Sequence, residues 1–86
     1  MNKEQIKATL LLKGIALESE ILYNVNNTPY TLSFEKIIDD FFLTPKSQTF
    51  FIEGFEKVKD SDSVTIESFF EKMGQLHLMS SLSNKL

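Results

Sequence analysis

Eighty-six residues make one domain, which can bury roughly 60 to 65% of the surface its unfolded chain exposes, and leave no room for a second. The apolar share is 42% and includes eight Phe, enough for a core of large rings, while the lack of Cys excludes disulfides, thiolate metal sites and thiol catalysis. Nine scattered lysines, no arginine and twelve acids give a net charge of -3, which argues against a nucleic-acid surface and toward a neutral or basic partner.

Apolar residues Ile6, Leu10, Leu17 and Ile21 share one helical face, widened by Leu11, Ile15 and Leu22, and this spacing predicts a first helix over residues 4–23. The cluster Asn24, Val25, Asn26, Asn27, Thr28, Pro29 ends it, since its polar side chains bond the backbone locally and Pro29 has no amide. A competing reading pairs the segments ILYNV and YTLSF as a β-hairpin around the same turn.

Ser33 caps a second helix whose stripe is Phe34, Ile37, Ile38 and Phe41, closed by Thr44 and Pro45. Ser47 offers the cap of a third, lined by Phe51, Phe55 and Val58 and ending near Lys59, with Gly54 beside the stripe for a packing or conformational reason. Residues 60–63 form a loop, residues 64–66 are extended because two β-branched residues flank Thr65, and a fourth helix covers residues 67–82. The expected fold is all-α: four helices joined by short polar connections. Residues 30–32 occupy the place after the first loop that residues 64–66 occupy after the second. An internal two-fold repeat follows, with these two segments paired as a minimal two-stranded ribbon joining the loops.

Two helix-loop-helix units of this kind resemble a single lobe of calmodulin or of a calmodulin-like (EF-hand) myosin light chain. The likeness is carried by LYNVNNTPYTLSFEK, LTPKSQTF and KVKDSDSVTIESFFEKM, and by the order Asn24, Asn26, Glu35, then Asp60, Asp62, Glu71. The likeness spans nearly the whole chain and implies that residues 1–86 form one EF-hand-like lobe. Both loops depart from a calcium loop, which wants oxygen donors at positions 1, 3, 5 and 12 and Gly at 6. Pro29 stands where Gly is needed in the first, and Val64 and Thr65 take the fifth and sixth positions of the second. Asp60, Asp62 and Glu71 are thus degenerate metal candidates, and no metal or other cofactor is expected. The resemblance implies a calcium-independent light chain that grips an amphipathic basic helix, of the IQ type, in a larger protein.

The groove for such a helix is expected between the first and fourth helices. Its apolar anchors would be Leu11, Ile15, Met73, Leu76, Met79 and Leu82, with Glu18, Glu20 and Glu71 on the rim to attract Lys or Arg. Catalysis has little support: His77 has no second ligand at useful spacing, and Asp39 with Asp40, Glu53 with Glu56 and Glu67 with Glu71 read as solvated helix faces. Phe34, Phe41, Phe51, Phe55, Phe69 and Phe70 read as core. No apolar run reaches the roughly 18 residues that span a bilayer and no signal core is evident, so a cytoplasmic protein with a protein partner is expected, monomeric or a small homo-oligomer when unbound. A rival reading is a small phage or mobile-element regulator that inhibits by occluding a partner's surface.

Overall fold

The computed structural model describes residues 1–83, with side chains through residue 81. Its elements run α1 (Lys3–Leu12), β1 (Glu20–Val25), β2 (Thr28–Ser33), α2 (Phe34–Phe41), α3 (Pro45–Val58) and α4 (Ser63–Ser83). The fold is thus mostly helical, as expected, with one two-stranded ribbon.

Asn2 opens α1 with a capping box, accepting from the Gln5 amide while the Gln5 side chain accepts from Asn2. Twelve residues later Gly14 takes φ +77°, a left-handed turn that glycine adopts without strain. The Ile15 amide then donates to Leu10 O at 2.9 Å and the Gly14 amide to Leu11 O at 3.0 Å, the paired bonds that close a helix C-terminus. This turn folds Ile15 into the core beside Leu10. The helix expected over residues 4–23 therefore stops at Leu12, and the competing hairpin is what the chain forms.

That hairpin turns at Asn26 (φ 54°) and Asn27 (φ 63°), both left-handed, as the tight turn that matches strand twist requires. Asn tolerates this conformation because its short amide bonds locally. Register runs from Val25 opposite Thr28 to Glu20 opposite Ser33. Residues 30–32 accordingly pair with residues 21–23 and not with 64–66. The latter lie in the first turn of α4, because the Asp62 carboxylate accepts from the Thr65 amide at 2.9 Å and caps that helix four residues before its expected start. The cap outweighs the β preference of Val64 and Thr65.

Ser33 caps α2 as expected, accepting from the Lys36 amide at 3.0 Å. Thr44 rather than Ser47 caps α3, with Pro45 at the first helical position where its missing amide costs nothing. Ser47 instead donates to Phe41 O at 2.7 Å and so ties the start of α3 to the end of α2.

Phe51, Phe55 and Phe70 are fully buried, each burial contributing about 1.5–3 kcal/mol. The Phe51 ring stands 5.3 Å from Phe41, 5.3 Å from Phe69 and 5.6 Å from Phe70, which joins α2, α3 and α4. Gly54 owes its place to this packing, since a methyl there would sit 2.7 Å from the Phe69 ring. The first expected helix-loop-helix unit is thus helix-hairpin-helix, and the ribbon lies inside that hairpin instead of joining two loops. Only residues 59–62 separate α3 from α4.

Candidate functional site

Side chains alternate along β1, so Tyr23 and Val25 are buried, Ile21 is half-buried, and Glu20, Leu22 and Asn24 face outward. Tyr23 reaches across α4: its hydroxyl donates to Phe70 O at 2.9 Å, and its ring lies over Gly74. The neighbouring face of α4 is left alongside the strand. Between them runs a groove of about 490 Å³, with Leu22 and Asn24 on one wall and Ser68, Glu71, Gln75 and Leu76 on the other. It continues into a second section of about 440 Å³ toward Glu20, Val64 and Glu67, sharing Leu22, Ser68 and Glu71.

Charge along this trough is one-sided. Glu20, Glu67 and Glu71 border it, opposed by Lys72 alone among the described lining residues. The apolar surface is supplied by Leu22, 72% exposed, Val64, 67% exposed, and Leu76, 45% exposed. Burial and the nearby Glu71 carboxylate push the Tyr23 phenol from 10.0 up to about 12, which extends the range of its neutral, donating form into alkaline pH.

The structure divides the expected groove residues. Leu76, Glu20 and Glu71 line the trough. Ile15 and Met73 do not, since both are buried in the main core and cannot serve as anchors for a target. Leu11 and Met79 are exposed but line neither section, and Glu18 is exposed in the connection before β1. Leu82 lies in the last turn of α4, and its side chain is outside the described residues. The groove therefore follows β1, not α1, along α4. Leu22 and Asn24 were missed because residues 20–25 read as the end of a helix, and Ser68 and Glu67, the latter read as part of a solvated face, because the wall opposite them was absent from that reading. The Lys13-Gly14-Ile15 stop signal would have pointed to them.

Asp60, Asp62 and Glu71 are not brought together, and no cluster of three metal-ligating side chains occurs among the described residues. Asp62 is engaged as a cap, which holds its carboxyl below the usual range through the Thr65 amide and then the Thr65 side chain. Asp40 and His77, distant in sequence, meet at 2.9 Å, with Lys36 3.0 Å from the other carboxylate oxygen and the Phe41 ring 5.9 Å from the imidazole. The pair ties α4 to α2. Asp39 accepts Lys3 at 3.3 Å, and Lys7 reaches Glu35 at 3.6 Å, which joins α1 to α2 at the surface. Such exposed pairs contribute about 0–1 kcal/mol.

No helix of the described residues is long and apolar enough to cross a membrane. Compared with protein-family models, curated proteins and solved structures, the chain matches none.

Proposed function

We propose that this is a non-enzymatic binding protein that holds a basic segment of a partner protein in the groove between β1 and α4, without calcium. The observation that carries the reading is the coincidence of exposed apolar walls with a one-sided rim of Glu20, Glu67 and Glu71. Apolar contact supplies the binding energy, and the acidic rim selects and orients a Lys- or Arg-bearing target. Calcium independence is supported by the connection between α3 and α4, which spans residues 59–62 where a calcium loop needs twelve.

The light-chain resemblance supplies one form for the target, an amphipathic basic helix of the IQ type. In that form Leu76 and Met79, both half-exposed and three residues apart on α4, would meet its apolar stripe. For the occluding-inhibitor reading we place the contact on a different surface, the exposed Leu11 and Leu12 of α1. A photo-crosslinking residue placed at Leu22, at Leu76 or at Leu11 separates them. Crosslinks to a basic peptide from Leu22 and Leu76 but not from Leu11 support the groove, and the reverse pattern overturns it.

A further inference from the structure

The two edges of the ribbon are not equivalent. In an antiparallel pair, opposed residues alternate between those that exchange hydrogen bonds and those whose main-chain groups point outward. The two-residue turn at Asn26 and Asn27 makes Val25 and Thr28 a bonded pair, so Tyr23 with Tyr30 and Ile21 with Leu32 are bonded too. The Phe34 amide donating to Ser19 O at 3.1 Å continues the same alternation beyond the strands. Leu22 and Asn24 therefore turn their amides and carbonyls away from β2. Among the described residues no turn, loop or side-chain hydrogen bond takes up those groups. Opposite Asn24 stands Pro29, which at this position costs the ladder nothing and removes a donor from the outer edge of β2. One edge is blunted, and the other is open onto the acidic groove.

We propose that the groove takes its basic partner as an extended strand added to the free edge of β1, with α4 as the far wall. This rests on the reading of the groove given above and specifies the conformation of its occupant. An added strand satisfies the outward groups of Leu22 and Asn24, and its side chains then alternate in direction. Those on the α4 side meet Glu67 and Glu71, and those on the other side lie beside Leu22. The preferred segment thus alternates cationic with apolar residues at a period of two. A second copy of the chain fits less well, because pairing two β1 edges would bring two acidic rims together.

Nuclear magnetic resonance of the ¹⁵N-labelled protein tests this with two probes: an acetylated octapeptide alternating Lys and Val, and an amphipathic helical peptide of Leu and Lys. The expected result is that the octapeptide shifts the Leu22 and Asn24 amides and slows their solvent exchange at least tenfold. Asn24→Pro, which deletes an outward donor while sparing the β1–β2 ladder, should weaken octapeptide binding at least tenfold. If that variant does not fold, an octapeptide N-methylated on the residues that face β1 must lose binding to the same extent. Octapeptide binding without protection of these amides overturns the strand mode. Groove shifts with the helical peptide alone overturn it while leaving the proposed function standing, and no groove response to either peptide overturns both. Protection of the two amides that rises with protein concentration, without peptide, would assign the edge to a second copy and contradict the proposal.

Discussion

Tyr23 lies over Gly74 so closely that a single methyl on the glycine would overlap the phenol oxygen and ring. This contact seats β1 on α4 and so sets the floor of the groove. Gly74→Ala should force the ring out, break its bond to Phe70 O and destabilise the protein by about 1–3 kcal/mol in urea unfolding. Tyr23→Phe, which loses only the hydrogen bond, should cost about 1 kcal/mol. The two changes should be non-additive, because they act on the same contact.

The same phenol makes stability depend on alkaline pH. Its folded value is raised from 10.0 to about 12, so the folded state keeps the proton that the unfolded state releases. The sign follows: the contribution is intact below about pH 10 and is lost as pH rises toward 12. Urea midpoints measured from pH 8 upward should fall across that window, and the fall should be absent in Tyr23→Phe.

Two methionines on α4, both expected to line a groove, separate the surface from the core. Met79 is 50% exposed and Met73 is 4% exposed. Met79→Asp should leave the helical circular-dichroism signal and the unfolding midpoint nearly unchanged. Met73→Asp should cost several kcal/mol by burying an unpaired charge, enough to unfold a domain with roughly 5–10 kcal/mol in total. An unfolded Met79→Asp protein would contradict the placement of that face of α4.

Calorimetric titration with millimolar calcium should give no saturable heat. Asp62 is committed to the Thr65 amide, and Glu71 lies on the groove wall nine residues further along α4. Saturation in the micromolar range would mean that the α3–α4 connection rearranges into a ligating loop.

The helices were legible wherever a stripe and a cap coincided. Ser33 with Phe34, Ile37, Ile38 and Phe41 marked α2, and the Phe set marked the core. Residues 13–25 support both a helix and a hairpin, because apolar residues fall there at both helical and strand spacing. What decides between them is backbone geometry: Gly14 ends the helix, and Asn26 with Asn27 closes the hairpin that the sequence offers as the competing reading. Residues 64–66 erred the other way, since their β-branched composition is overridden by one carboxylate at Asp62. The groove was legible only in part. Leu76, Glu20 and Glu71 followed from α4 and from charge, but its strand wall could not appear while residues 20–25 stood as a helix. The pairing of Asp40 with His77 depends on how α2 meets α4, which no local pattern encodes.

The most direct test of the account is the affinity of a fluorescein-labelled basic peptide for the native protein and for the double variant Glu67→Lys, Glu71→Lys, read by fluorescence anisotropy at low and high salt. Both glutamates are exposed, so the variant should unfold at nearly the native urea midpoint. The account predicts at least a tenfold loss of affinity at low salt and a smaller difference at high salt, where the rim is screened. Equal affinities at low salt, with both proteins folded, would contradict the claim that the groove between β1 and α4 is where a basic partner binds.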